Sequence, residues 1–414
     1  MNIPVIIPYT DHSETEEIAK VVESGWVAQG SKVAEFEKLV AAYENAAYGI
    51  ATTSCTTALH LALAAMGLTD GHDCIVPSFT FTASPNAVLY TGARPVFSDV
   101  FLDTYNLDPV GIERVIDEQY DKNLVNKSTG NQLKAIMTVN LFGLCSDLPQ
   151  INEIAKKHGL SVLQDSACAF GARINDVMEA DFGNITCLSF HPRKSITTGE
   201  GGMVLTNDEA TATRIRALRS HGATISETDR HKNAGFLLPD FDELGYNYRM
   251  TDIQAAMGVA QMRKMDYITG TRRQKANLYD RLIKDMCVDF LTPPFVPEGY
   301  FHTYQSYVCV MDMKKLGVNG DKNEDIEKAS ALRNEIMRKL DEKGIATRVG
   351  THATHLLGHY KKRYGFAPED FKNSYMLDKL SITLPLYVQM TEQDQIQVLQ
   401  TIVDAKNELL GGAG

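Results

Sequence analysis

The 414-residue sequence has no apolar run close to the roughly 20 residues that a membrane-spanning helix requires. Residues 1–10 also lack the basic and apolar regions of a secretory signal. The formal net charge of −11 leaves no excess of Lys and Arg of the kind that holds a nucleic-acid backbone. These absences predict a protein that is not exported, does not span a membrane and does not bind nucleic acid.

Cysteine is also scarce, and its spacing shows no pairing. The seven positions are Cys55, Cys74, Cys145, Cys168, Cys187, Cys287 and Cys309. They have neither the spacing of metal ligands nor the density of a disulfide scaffold. We therefore expect free thiols and a location in the reducing cytoplasm. Internal repeats and low-complexity tracts are absent from the sequence as well.

The sequence does contain enough apolar material for a folded core, since 44% of its residues are hydrophobic and 22% are charged. From residue 51 onward, short apolar runs alternate with helical patterns, which is typical of an α/β fold with a mostly parallel sheet. The runs predicted as buried strands are 74–76, 95–97, 135–139, 161–163, 186–190 and 203–205. We expect a large sheet domain over residues 1–264 and a smaller α+β domain over residues 265–414.

Helices are predicted from apolar spacing and from capping residues. Ser13 followed by Glu16 indicates a capping box that opens a first helix. A single long helix is predicted from Thr251 to about Tyr267. The polar stretch 118–132 is predicted to be an exposed loop. Further helices are predicted over 57–66, 148–158, 326–343 and 392–407.

Two residues that follow predicted strands indicate cofactor chemistry. Asp165 lies at the carboxyl end of the strand 161–163, where open α/β sheets bind ligands, although an acid there can also serve as a helix cap. Lys194 follows the strand 186–190. Pyridoxal 5′-phosphate (PLP) needs a lysine that binds it covalently, an acid beside its pyridine nitrogen and donors for its phosphate. Residues 54–59 offer such donors, because they combine hydroxyl groups with a predicted helix N-terminus.

Residues 54–59, 164–171 and 189–202, in this order, resemble the DegT/DnrJ/StrS sugar aminotransferase family, and the resemblance covers nearly the whole chain. It implies a PLP-dependent transferase of fold type I, α/β in class, with PLP as the cofactor. It implies that Lys194 carries the cofactor and that Asp165 pairs with the pyridine nitrogen, both in catalytic roles. The other cofactor contacts that the resemblance implies are Thr56, Thr57, Phe81, Cys168, Ser189 and Asn247.

The resemblance also implies the substrates and the assembly. The expected reaction moves an amino group from an amino acid, L-glutamate in the family, to a nucleotide-linked keto-sugar, as in amino-sugar and lipopolysaccharide biosynthesis. Asn247 matches a family position that reaches the cofactor phosphate of the neighbouring subunit, so a homodimer with shared active sites is expected. Substrate contacts are expected from Trp26, Arg348, His352 and His355, with a further basic stretch at 230–232.

Two alternative functions remain open at this point. A sugar dehydratase of the same fold would have histidine in place of Lys194, so the lysine favours the aminotransferase. A regulatory protein could retain the fold and bind PLP without catalysis, since a fold alone does not establish activity.

Two local features depart from the simplest interpretation. Cys168 and Phe170 stand where the family often has glutamine and histidine, which puts the usual contact to the phenolic oxygen of the cofactor in doubt. His352, His355 and His359 are spaced like metal ligands on one helical face. Because no nearby acid or cysteine completes the set, no metal is expected.

Overall fold

The structure, a computed structural model, describes residues 2–183, 185–223 and 240–411. Its strands are β1 Tyr48–Thr52, β2 His72–Pro77, β3 Phe79–Thr80, β4 Arg94–Ser98, β5 Gln132–Val139, β6 Ser161–Asp165, β7 Arg173–Ile174, β8 Val177–Met178, β9 Ile185–Ser189, β10 Gly202–Thr206, β11 Leu291–Thr292, β12 Tyr300–Phe301, β13 Tyr307–Met311, β14 His352–Ala353 and β15 Ser381–Leu384. One seven-stranded sheet has the order β1-β10-β9-β6-β5-β2-β4. β10 runs antiparallel to both neighbours, and the adjacent pairs from β9 to β4 run parallel. The predicted α/β class is confirmed, and every strand predicted from an apolar run is present.

Helices cover both faces of this sheet. They are α1 His12–Ser24, α2 Ser31–Tyr43, α3 Cys55–Ala65, α4 Ala83–Tyr90, α5 Pro109–Gln119, α6 Leu148–His158, α7 Glu209–Arg219, α8 Asp252–Met262, α9 Met265–Asp285, α10 Asn323–Glu342, α11 Gly358–Tyr364, α12 Lys372–Leu380 and α13 Glu392–Gly411. Along β10, Val204 packs with α3, whereas Met203 and Leu205 pack in a second cluster with α2 and α8. This alternation of period two buries the strand on both sides. Within the described residues, no helix is long and apolar enough to cross a bilayer.

The first helix begins earlier than the sequence predicted. Asp11 caps α1, because its side chain accepts the N–H of Ser13 at 2.8 Å, and Glu14 completes the capping box. The predicted box of Ser13 and Glu16 was therefore wrong. The box of Asp11 and Glu14 lies two residues upstream of it. The sequence alone does not decide which of the two boxes starts the helix, because the choice depends on how the helix packs.

The long helix predicted over 251–267 is also corrected, because α8 and α9 are separate helices. The helix is interrupted by a turn at Arg263 and Lys264. The Lys264 ammonium lies 2.6 Å from the Glu14 carboxylate and 2.9 Å from that of Asp11. These ion pairs anchor the break to the start of α1. The apolar spacing continues through the break, so the sequence pattern did not reveal it.

The stretch 118–132, predicted to be an exposed loop, is partly buried. Tyr120 is only 3% exposed and donates its hydroxyl to Asp73 at 2.7 Å. Asn126 is 2% exposed, and its side-chain oxygen accepts the N–H of Ser128 at 3.0 Å. The polar composition suggested exposure, but these polar groups satisfy one another inside tight turns.

A smaller antiparallel sheet in the order β11-β13-β15 lies in the core of the C-terminal part. The helix α9 contributes to both cores. Its residues Met265 and Ile268 pack in the cluster that contains α2, whereas Tyr279 and Ile283 pack against the smaller sheet. Ile3, near the N-terminus, packs in the second core too. Because one helix serves both cores, the division at 264/265 stays a prediction.

The N-terminus of α2 is capped by a side chain from another helix. Asp252, at the start of α8 and 2% exposed, accepts the N–H groups of Gly30 at 2.8 Å, Lys32 at 3.1 Å and Val33 at 2.9 Å. The helix has no side-chain cap of its own at Gly30. The carboxylate therefore binds donors that the helix would otherwise leave unpaired. Trp26 lies directly beside Gly30.

We predict that Asp252→Asn lowers the free energy of unfolding by about 2 kcal/mol, because an amide has one accepting oxygen and no charge. Urea unfolding followed by the fluorescence of Trp26, the only tryptophan, measures the change. Asp285→Asn at an exposed position is the control and should leave the midpoint unchanged. Equal midpoints for wild type and Asp252→Asn would contradict the capping role.

Candidate active site

A cavity of about 640 Å³ lies at the carboxyl edge of the large sheet. The last residues of three neighbouring parallel strands line it, namely Val139 of β5, Asp165 of β6 and Ser189 of β9. Parallel strands bring the residues that follow them to one edge, which is where open α/β sheets bind ligands. The C-terminal part closes the cavity with the segments 348–352 and 383–384.

Lys194 lines this cavity from the turn that follows β9. Its N–H donates to His191 O at 2.8 Å, which fixes the turn, and its Nζ lies 3.1 Å from Cys168 Sγ. Burial alone would lower the pKa of Lys194, but the contact with Cys168 and the nearby carboxyl group of Asp165 raise the pKa above its ordinary value.

Asp165 ends β6, and its carboxylate is buried. Its Oδ2 accepts the Ser84 hydroxyl at 2.7 Å, and its Oδ1 accepts the N–H of Ala167 at 3.2 Å. Burial raises the pKa of Asp165, and these hydrogen bonds oppose that rise. A cation placed against this carboxylate would stabilise its charged form. The protonated pyridine nitrogen of PLP is such a cation.

A buried polar network fixes the chain around Asp165. Asn140 donates its backbone N–H to Asp165 O at 2.9 Å, and its amide donates to Ser166 Oγ and to Glu179 Oε2, both at 2.8 Å. The Ser166 hydroxyl also donates to Glu179 at 2.7 Å. Burial, followed by the charge of Glu44, raises the pKa of Glu179. The end of β6 is thus held by bonds on the side away from the cavity.

The N-terminus of α3 forms another wall. Ser54 is the N-cap, and its hydroxyl accepts the N–H of Thr57 at 3.2 Å. Thr57 Oγ1 accepts the N–H of Ser54 at 3.1 Å, so Thr57 closes a capping box, and it does not line the cavity. Thr56 does line it, and within the described residues its hydroxyl has no hydrogen-bond partner. Free N–H groups at a helix start bind phosphate well.

This wall packs directly against the sheet. Gly202 is the first residue of β10, and a Cβ there would lie 2.4 Å from the carbonyl of Ser54 and 2.5 Å from the N atom of Cys55. No side chain fits at that position. The start of α3 therefore approaches the strand as closely as backbone atoms allow.

The other expected cofactor contacts divide into two groups. Phe81, Cys168 and Ser189 line the cavity, and Phe81 is 62% exposed there. Asn247 is exposed and lies outside the cavity of this single chain. Its cofactor contact therefore stays a prediction that depends on a second subunit.

The expected substrate contacts divide in the same way. Arg348 and His352 line the cavity, whereas Trp26 is exposed outside it. His355 is fully buried and pairs through Nδ1 with Ser78 Oγ, and burial lowers its pKa to about 4. His355 thus packs in the core rather than on the cavity wall. The basic stretch 230–232 lies outside the described residues.

The three histidines considered as metal ligands do not share one helical face. His352 lies in β14, His355 lies in a short 3₁₀ turn and His359 lies in α11. Among the residues that the structure describes, no group of three or more His, Cys, Asp or Glu side chains is arranged to hold a metal ion.

Sequence reasoning missed two residues of the site. Ser84, which binds the Asp165 carboxylate, stands before Pro85 in a stretch without a recognisable motif. Arg193 lines the cavity next to Lys194. The contact of Ser84 with Asp165 joins elements distant in sequence, so no local signal could have identified it. The position of Arg193 directly before Lys194 was a signal that could have identified Arg193.

The side chains of the cavity fit PLP as a set. Lys194 provides the amine, Asp165 provides the buried acid, and the start of α3 with Thr56 provides phosphate donors. All of these groups line the same cavity. Phe81 offers a flat apolar surface beside them. This is the combination of groups that the cofactor requires.

Comparisons with known proteins agree with this chemistry. A model of the DegT/DnrJ/EryC1/StrS aminotransferase family matches residues 8–403. The spore coat polysaccharide biosynthesis protein SpsC of Bacillus subtilis is 33% identical over 402 residues, which cover 97% of this chain and 96% of the relative. The GDP-perosamine synthase of Caulobacter vibrioides is 33% identical over 401 residues and 97% of both chains. The structure of Helicobacter pylori PseC, an aminotransferase involved in the biosynthesis of pseudoaminic acid, matches with a TM-score of 0.84 at 24% identity, over 99% of this chain and 100% of its own.

We predict that borohydride reduction of the PLP-loaded protein leaves the cofactor attached to Lys194, because it is the lysine that lines the cavity beside Asp165. Peptide mapping by mass spectrometry locates the label. Lys194→Ala should abolish labelling, while Lys157→Ala at the surface should not change it. A label on any other lysine would remove Lys194 from its role.

Proposed function

The chain belongs to the DegT/DnrJ/EryC1/StrS aminotransferase family, and from this membership we propose that it transfers an amino group from L-glutamate to a nucleotide-linked keto-sugar. The family, the PLP cofactor and the aminotransferase reaction expected from the sequence are confirmed. The observation that carries the finer proposal is the meeting of Lys194, Asp165 and the start of α3 in one cavity.

Two residues divide the proton chemistry. PLP, when bound, supplies an electron sink for the carbon that loses its proton. Lys194 Nζ removes the α-proton of the amino donor and later delivers a proton during amino transfer, so one side chain acts as both base and acid. Asp165 holds the proton on the pyridine nitrogen, and the hydrogen bond from Ser84 orients that carboxylate.

The relatives support the class of acceptor. One is named for the synthesis of GDP-perosamine and another for spore coat polysaccharide biosynthesis. An acceptor linked to a nucleoside diphosphate carries negative charge, and the Arg348 guanidinium gives the cavity a positive group that suits it. We place the reaction in amino-sugar and surface polysaccharide biosynthesis, including that of lipopolysaccharide.

We further propose a homodimer in which each subunit completes the site of the other. Asn247 and Trp26 are exposed, and neither lines the cavity of its own chain. Asn247 is therefore accessible to a partner, as the family resemblance implies. This arrangement would give the cofactor phosphate a side-chain amide in addition to the donors of α3.

The cytoplasm is the location that we propose for this reaction. All seven cysteines are free thiols, and five of them are buried. Free thiols are typical of proteins in a reducing compartment.

We predict that the purified protein aminates nucleotide-linked keto-sugars with L-glutamate as donor, because the cavity combines the amino-transfer groups with positive charge. A panel of 3-keto and 4-keto sugars, with and without a nucleoside diphosphate, is assayed by mass spectrometry next to simple 2-oxo acids. Lys194→Ala is the inactive control. Preference for acceptors without a nucleotide would overturn the nucleotide part of the proposal.

We predict that mixing inactive Lys194→Ala and Asn247→Ala chains restores activity. In a hybrid dimer, one of the two sites would contain both the wild-type lysine and the wild-type asparagine. Activity is measured after refolding equal amounts of the two variants together, and each variant refolded alone is the control. Sedimentation then checks the assembly, and a fully active monomer would contradict shared sites.

A further inference from the structure

Two arginines on the cavity wall have no partner in the described part of the chain. Arg193 and Arg348 both line the cavity, and neither guanidinium makes a hydrogen bond or an ion pair with the described residues. Most other described arginines hold a carboxylate, a carbonyl or an aromatic ring, as Arg219 holds Glu37 at 2.6 Å. Both residues are exposed at the cavity, so an anionic ligand in the cavity can reach the two guanidiniums.

Both arginines are fixed at the backbone and free at the side chain. Arg193 O accepts the Gln305 amide at 2.6 Å, and its N–H donates to His191 Nδ1 at 3.1 Å. Arg348 forms two backbone hydrogen bonds with Thr383, at 3.3 Å and 2.6 Å. Each guanidinium thus projects from an anchored position, and little backbone entropy is lost when a ligand binds.

The two charges lie close enough to affect each other. Burial lowers the pKa of Arg348, and the positive charge of Arg193 lowers it further. Arg193, Arg348 and Glu200 lie at one rim of the cavity. The Glu200 carboxylate at this rim lies 3.9 Å from His191 Nε2 and forms no ion pair with either arginine among the described residues. On a chain with a net charge of −11, this rim is a local concentration of positive charge. An oxyanion between the guanidiniums would relieve their repulsion.

We propose that Arg193 and Arg348 together bind one oxyanion of a substrate, either a carboxylate of the amino donor or a phosphate of the nucleotide-linked acceptor. The inference rests on the proposed function. Guanidinium groups suit both anions, because their paired N–H donors match two oxygens of a carboxylate or a phosphate. Donor and acceptor occupy the cavity in turn, so the same two side chains are available to each of them.

The position of Arg193 gives this contact a role in specificity. Arg193 immediately precedes Lys194, and Arg348 comes from the C-terminal part of the chain. An anion held between them is bound by both parts at once and lies at a fixed offset from Lys194 Nζ. The offset selects which substrate carbon faces the lysine, so acceptors with a displaced anion would be bound without reacting.

The test measures the two half-reactions of the holoenzyme separately. Absorbance of the cofactor follows its conversion by L-glutamate and its reconversion by the acceptor found in the substrate panel. The variants are Arg193→Gln, Arg348→Gln and the corresponding Lys substitutions, and Arg281→Gln at an exposed position is the control. We expect each Gln variant to raise the half-saturating substrate concentration about tenfold or more, with Lys restoring part of the loss.

The pattern of loss identifies the anion. A loss confined to the glutamate step supports a carboxylate, a loss confined to the acceptor step supports a phosphate, and a loss in both supports a shared site. Half-saturating concentrations within twofold of wild type in both steps, for both Gln variants, would overturn the proposal.

Calorimetry separates failure of this inference from failure of the proposed function. Pyrophosphate and glutarate are titrated into the PLP-loaded protein, whose phosphate site is already filled. Binding of either probe to wild type that is lost in Arg193→Gln and Arg348→Gln supports the anion site even if no keto-sugar reacts. Active wild type with equal probe binding in all variants would refute the anion site and leave the aminotransferase reaction intact.

Discussion

A negative charge buried at the end of a strand is the constraint on which the rest of the site depends. Asp165 is 4% exposed, and burial opposes its ionisation. The chain compensates with the Ser84 hydroxyl and the Ala167 N–H on the carboxylate, and with Asn140 on the backbone carbonyl. A neutral acid at this position could not hold a proton on the pyridine nitrogen. The buried network therefore supports the carboxyl group, although Ser84 and Asn140 do not line the cavity.

The cavity combines parts that are far apart in the sequence. Its catalytic edge comes from the parallel strands, while the segment around Arg348 is joined to β15 through Thr383. Ile3 forms a backbone bridge to Ile345, just before that segment. The N-terminus thus buttresses the C-terminal wall. Function depends on the relative position of two cores that share the helix α9.

The sequence predicted the sheet well, and it singled out Asp165 and Lys194, which the structure brings to one cavity, because both features have local signals. Apolar runs mark β6 and β9, and the residues after them, Asp165 and Lys194, reach the same edge whenever those strands are parallel and adjacent. The prediction of the cap of α1 was wrong because two similar sequence patterns overlap. The pattern that begins at Asp11 is the one whose acids form ion pairs with Lys264. The contact of Ser84 with Asp165 and the burial of His355 could not be predicted, since each depends on contacts between distant segments.

The reversal of β10 relative to β9 has a geometric consequence for the cofactor. Ser189 and Gly202 are paired across these strands, so the loop that carries Lys194 is tethered at both ends. At the same glycine, the start of α3 rests on the sheet backbone. The loop that carries Lys194 and the start of α3 are therefore both positioned by the backbone at Gly202. The pairing of β9 with β10 therefore fixes the spacing between these two parts. A shift of one residue in this pairing would move the two strands relative to each other by about 3.3 Å and turn their side chains to the opposite faces of the sheet.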